Sequence, residues 1–128
     1  MRAAEFLSES QQTTLNDLYA GDFPGRDESL WDEIGTMDLD KPLMIHTMPR
    51  YKIEIMLLGQ YRVEHLDEIV DMMDPDQKEI LERYMNDPTL ADKVIVISEH
   101  RIIDGNHRAL AAAYKGSSIK YIDLSELQ

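Results

Sequence analysis

Five consecutive residues, Asp104, Gly105, Asn106, His107 and Arg108, bring together an acid, a glycine, an amide, an imidazole and a guanidinium. They stand between a β-branched stretch and the alanine-rich run 109–113, so a strand should turn there into a helix. Gly105 permits a sharp corner and close approach of the backbone. Asn106 is the expected N-cap. The first N–H groups of such a helix lack intrahelical partners and carry the positive end of its dipole. That arrangement suits a phosphate or a carboxylate, with Arg108 as a bidentate clamp and Gly105, Asn106 and His107 completing the cradle. His107 is also the candidate general base, given a substrate proton within reach, and Asp104 is the second candidate catalytic group. Plainer roles stay open: Arg108 paired with Asp104, Asp123 or an acid on a neighbouring helix, Asn106 only capping, and His107 only packing.

Other reactive residues are sparser. A hairpin could gather Glu99, His100 and Asp104 near the corner, and Lys120 could face the same pocket from the last strand. His46, His65, His100 and His107 have no H-x-x-x-H or similar spacing, so no zinc or other resident metal is expected. Glu99 and Asp104 do not make a recognisable two-carboxylate metal site. The chain has no cysteine, which removes disulfides, thiol nucleophiles and thiolate ligands together. The eight methionines read as core fillers.

The elements that must hold the corner follow from periodicity and punctuation. Residues 94–97 are a β-branched run, 98–100 a turn, and 101–104 the return strand of a hairpin. The helix after the corner runs through Lys115, whose charge suits the negative helix end, and Gly116 is its C-terminal cap. The small residues Ala109, Ala111, Ala112 and Ala113 let it lie close on a sheet. Residues 119–124 make a final strand. Upstream, 41–49 reads as a strand ended by Pro49, and 50–59 is ambiguous but leans to helix. Leu66, Ile69, Val70 and Met73 fall on one helical face. Asp74 and Pro75 then cap and begin another helix, with Ile80, Leu81, Tyr84 and Met85 as its buried stripe. Asp67, Glu68, Asp71, Glu79 and Glu82 face water. Further toward the N-terminus, residues 1–9 suggest a short helix, 8–14 a loose polar stretch, and 15–35 a short helix, a turn at 21–26 and a second helix near 28–34 ended by Gly35. Trp31 is expected as a core anchor.

The chain has 128 residues, 43% of them apolar, enough for one domain with its own core. No apolar run approaches the ~20 residues of a membrane span, and the start MRAAEFLSES has no sustained apolar segment. No membrane association and no signal peptide are therefore expected, and a cytoplasmic location is. The formal net charge is −12, which opposes binding to a nucleic-acid backbone over a broad surface. The charge is unevenly spread. Residues 1–50 carry four bases and ten acids, 51–92 four and eleven, and 93–128 five and four. The corner thus lies in the single near-neutral quarter, and the acidic body of residues 1–92 is a candidate surface for a protein partner.

The stretch VIVISEHRIIDGNHRALAAAYKG resembles the signature of the ParB/sulfiredoxin-like domain family, also known as ParB N-terminal-like nuclease domains. The match covers residues 93–124, and the strand at 43–49 and the helices at 64–86 stand where the family has such elements. The resemblance implies an α+β fold: a small mixed sheet with a C-terminal β-hairpin–helix–strand unit and several helices around it. Residues 41–128 would form that domain, and 1–40 a helical or irregular N-terminal extension. It implies phosphates held by the backbone of 105–108 and by Arg108, with a nucleotide such as ATP or CTP and Mg²⁺ as ligand, and a weak nucleotide hydrolase or phosphotransferase activity. Small stand-alone members of this kind occur in phages and mobile elements, which would place the protein in a host cytoplasm.

The departures narrow the expectation. Asn106 stands where sulfiredoxins have their cysteine, so the sulfur chemistry cannot occur. A single arginine replaces the arginine-rich ParB corner. The chain ends four residues after its last expected strand, so no helix-turn-helix domain, and no ParB-type chromosome partition, is expected. The alternative function is a phage-encoded acidic accessory protein that binds another protein without catalysis. A nuclease comes third.

Overall fold

The computed structural model describes residues 12–19 and 38–127. The expected helices at 1–9 and 28–34, the turn at 21–26, and Trp31 lie outside the described residues. The elements run β1 (Gln12–Thr13), α1 (Leu15–Tyr19), β2 (Leu43–Met44), β3 (His46–Met48), α2 (Arg50–Tyr61), α3 (Leu66–Asp71), α4 (Pro75–Met85), a 3₁₀ turn (Leu90–Asp92), β4 (Val94–Ser98), β5 (Arg101–Asp104), α5 (Asn106–Lys115), β6 (Ile119–Asp123) and a last 3₁₀ turn (Leu124–Leu127). The class is α+β, with a mixed four-stranded sheet in the order β3-β6-β4-β5 and a separate β1-β2 pair.

The local signals held where backbone chemistry dictated them. Asp74 accepts the Gln77 N–H at 2.8 Å and Pro75 opens α4. Gly116 ends α5 in the left-handed conformation. The segment 50–59 resolves to helix, because Pro49 supplies an extended entry and apolar residues return every three or four positions. The single strand at 41–49 does not form. It divides at Ile45, with Leu43 and Met44 pairing with β1, and His46 to Met48 pairing with β6. The supposedly loose 8–14 stretch contributes β1 through the same pairing. Ser98 belongs to β4 rather than to the turn.

The run Val94 to Ile97 is apolar throughout because both faces of the sheet are covered. Ile95, Ile97, Ile102 and Ile119 face a cluster shared with Ile53 and Leu57 of α2, Ile69 of α3, Leu81 of α4 and the alanines of α5. Val96, Ile103 and Ile122 face a second cluster with Leu15, Leu43 and Leu124. Leu15, from the 1–40 extension, is fully buried there. The alanines of α5 share one cluster with Ile95, Ile97 and Ile119 of the sheet. They also bring the helix close to α4 and α2, its most extensive neighbours, since four alanines at zero exposure let helix axes approach. No helix among the described residues is long and apolar enough to cross a membrane.

Candidate functional site

The strand-to-helix corner forms as expected, with one change of role. Gly105, at φ +100°, is itself the N-cap, and Asn106 is the first helical residue. A side chain is excluded at 105, since a Cβ there would lie 2.6 Å from Ile95 Cγ2 and 3.0 Å from an Arg108 nitrogen. Ala109 N–H donates to the Gly105 carbonyl at 2.9 Å, which starts the helical ladder. No side chain caps this end. The Asn106 amide oxygen instead accepts from Gln60 Nε2 at 3.2 Å.

A cleft of about 380 Å³ opens at the corner. Asp104, Gly105, Asn106, His107 and Arg108 all line it, and Tyr61 of α2 with Gln77, Ile80 and Tyr84 of α4 supply the opposite walls. Ile80 was expected in the buried stripe, but at 37% exposure it belongs to the wall of this cleft. The two tyrosines and Gln77 had no signal in the local sequence, because α2 and α4 reach the corner only through the packing of α5 between them.

Arg108 is already engaged. Its guanidinium donates to the Val94 carbonyl at 2.9 Å and pairs with Asp104 Oδ2 at 3.4 Å. The same oxygen accepts the Tyr19 hydroxyl at 2.7 Å. The plainer role weighed for Arg108, pairing with Asp104, is therefore realised. The guanidinium ties the end of β5 to the start of β4, and at 20% side-chain exposure it still borders the cleft. Asp104 anchors the arginine and the tyrosine together.

His107 differs from both. Burial pushes its imidazole below the ordinary histidine value, so the ring is uncharged at neutral pH. Its Nε2 is buried and has no hydrogen-bond partner among the described residues. An uncharged ring nitrogen can donate or accept, according to tautomer, but it does not supply a cation for a phosphate.

Three expected neighbours are elsewhere. Glu99 and His100 sit at the hairpin turn, at the opposite end of β5 from Asp104. They line a separate groove with Ile55, Met56 and Arg101. Lys120 pairs with Asp92 at 3.5 Å, on the 3₁₀ turn before β4. Antiparallel pairing sends the two ends of a strand in opposite directions, which is why the hairpin cannot gather Glu99 with Asp104. Among the described residues no three His, Asp or Glu side chains gather as metal ligands.

Fold and site together define a small α+β chain with a cleft at an uncapped helix N-terminus. No family model matches this chain, and no curated protein or solved structure matches it.

Proposed function

We propose that the chain binds a small phosphorylated ligand of nucleotide size in the cleft at 104–108, with a phosphate on the backbone N–H groups that open α5. The observation that carries this reading is the joint lining of one cleft by the whole corner, with an N-terminus that no side chain caps. Free N–H groups and the helix dipole favour an anion there. Arg108 contributes from the rim while holding Asp104. Tyr61 and Tyr84 offer aromatic faces to the rest of the ligand. The order hairpin, corner, helix, strand over 94–123 supports the kinship to ParB/sulfiredoxin-like domains. In a weak hydrolase or phosphotransferase, the uncharged His107 would be the proton acceptor, with Mg²⁺ arriving on an ATP or CTP ligand.

Thermal melting with millimolar ATP, CTP or GTP and Mg²⁺ tests the reading. Binding to the native state raises the melting temperature, by about 2.7 kcal/mol of stability at a hundredfold excess over Kd. Gln77→Glu keeps the capping box at Asp74 but adds a negative charge to the cleft wall, so it should reduce the rise without lowering the ligand-free melting temperature. No rise with any of the three nucleotides overturns the reading.

A second reading, an acidic accessory protein acting through a protein partner, is favoured by one observation. Met72 and Ile80 are exposed beside the acids Asp71, Asp76 and Glu79. Reversing Glu79 and Glu82 to lysine should then abolish capture of a basic partner, and unchanged capture counts against it.

A further inference from the structure

Among the described residues the large hydrophobic side chains that stand exposed fall in two pairs. Tyr51 and Ile55, at 61% and 66% exposure, lie one turn apart on the outer face of α2. Met72, at 60%, ends α3, and Ile80 stands on α4. Gln77 borders one recess with Met72 and another with Ile80, so these two are also neighbours. Single exposed apolar residues are ordinary, but apolar surface rimmed by polar groups marks a contact site.

The two pairs are framed by opposite charges. Lys52 and Arg62 fall on the same side of α2 as Ile55, at helical spacing. Arg101 stands across a shallow groove of about 470 Å³ that Ile55 lines. All three bases are exposed, and none forms an ion pair among the described residues. Of the nearby acids, Glu54 is already paired with Arg50 at 3.8 Å, and Glu99 lines the groove. In a chain of net charge −12 this is a local excess of positive charge. Around the other pair the sign reverses. Asp71 precedes Met72, and Asp76 stands one turn before Ile80. Both are exposed and without an ion pair among the described residues. Glu79 and Arg83 neutralise each other at 3.2 Å, and Lys78, two residues from Ile80, projects from the other side of α4.

One chain thus carries a basic apolar face and an acidic apolar face that complement each other. We infer that the α2 face of one copy docks on the α3–α4 face of a second copy, with Tyr51 and Ile55 against Met72 and Ile80, and Lys52, Arg62 and Arg101 opposite Asp71 and Asp76. The apolar centre supplies affinity, and the charges fix which face meets which. Either face docked on its own equivalent would set like charges together, so the contact joins two different faces. Such a head-to-tail contact leaves a free face at each end and grows into a ring or a filament. The net charge makes whole copies repel. At physiological salt that repulsion is screened beyond about 8 Å, whereas charges brought into contact still attract. The inference is independent of the cleft. It rests on the reading of α3–α4 as a protein-binding surface, and it names the partner of that surface.

Sedimentation velocity of the full chain, from micromolar to millimolar concentration, tests the contact. The average mass of the wild type should rise with concentration. Ile55→Glu breaks the α2 face and Met72→Glu the α3–α4 face. Both side chains are exposed, so the melting temperatures should stay near that of the wild type. Each variant alone should associate about tenfold more weakly or less, as when a central contact residue is lost. Mixed in equal amounts, the two should form a one-to-one dimer and stop there, because each keeps one working face. Both substitutions add one negative charge, so net charge cannot account for the recovered dimer. A wild type that stays monomeric, variants that associate as the wild type does, or a mixture that stays monomeric overturns the inference. If a variant does not fold, the wild-type series decides by itself. Where the wild type is monomeric but the reversal of Glu79 and Glu82 abolishes capture of a basic partner, the contact between copies falls and the protein-binding reading of α3–α4 survives.

Discussion

The side chain of Gln60 pairs with the backbone of Ile102 as a neighbouring strand would. Its Oε1 accepts the Ile102 N–H at 2.8 Å and its Nε2 donates to the Ile102 carbonyl at 3.3 Å. Ile102 lies on β5, at the outer edge of the sheet. Ser98 and Arg101 close the hairpin, so the polar groups of Ile102, the next residue, point away from β4. Gln60 satisfies both and also donates to Asn106 at the start of α5. One amide thus protects an open edge and steadies the first residue of the candidate anion site.

Gln60→Leu should therefore destabilise the fold by about 1–3 kcal/mol, the usual result of stranding buried polar groups. Chemical denaturation measures the loss, and amide exchange at Ile102 should accelerate selectively. A loss spread evenly over the sheet would contradict an edge-specific role.

The hairpin turn is strained. Glu99 and His100 adopt φ of +51° and +66°, the pair of left-handed residues that a two-residue type I′ turn demands and that Asn-Gly fills best. Left-handed backbone costs an ordinary residue roughly 1–2 kcal/mol. Replacing both, Glu99→Asn with His100→Gly, should stabilise the protein by an amount of that order, read as a higher denaturation midpoint.

Gly105→Ala should have the reverse effect. The new Cβ meets Ile95 Cγ2 and the backbone keeps φ at +100°. Steric overpacking at about 1–3 kcal/mol adds to the backbone cost. Combined with Ile95→Ala, the loss should be less than the sum of the two single losses, because the double variant removes the shortest contact, that with Ile95 Cγ2, while the contacts at 3.0 Å with Arg108 and the residue-95 Cβ remain.

Arg108→Ala strands the Val94 carbonyl and leaves Asp104, among the described residues, with the Tyr19 hydroxyl. A loss of about 1–3 kcal/mol follows. Arg108→Lys should recover part of it through the charge, but a lysine cannot serve both acceptors with a planar fork. A ligand-binding assay on Arg108→Ala therefore needs the ligand-free melting curve beside it.

His107 makes stability depend on pH with a definite sign. Its folded-state pKa is lowered by burial, whereas the unfolded ring titrates near pH 6.5. Above that value the ring is neutral in both states and contributes nothing. As pH falls through it, the unfolded chain takes up the proton first, so stability declines until the lower folded value is reached and then levels. The difference between wild type and His107→Leu across this range should show that decline, and equal slopes would exclude it.

Local chemistry was sufficient for most elements from α3 onward, but not for β1 or for the division of 41–49 into β2 and β3. The Asp74 and Pro75 start of α4, the Gly116 stop of α5, the hairpin and the glycine corner are each set by a few adjacent backbone torsions and caps, which neighbouring residues control. The sequence also placed five cleft residues in one unbroken stretch. It could not assign their tasks. Arg108 turns to Asp104 and Val94, Asp104 reaches Tyr19 across 85 positions, and Gln60 meets Ile102 across 42. Glu99 leaves the corner because strand direction, and not spacing, decides which end of a strand it occupies, whereas Lys120 stands level with Val94 at the corner's end of the sheet and is turned to Asp92. Whether a polar side chain is spent on its own fold or left for a ligand depends on which distant groups the packing brings within 3 Å, and only the tertiary structure decides that.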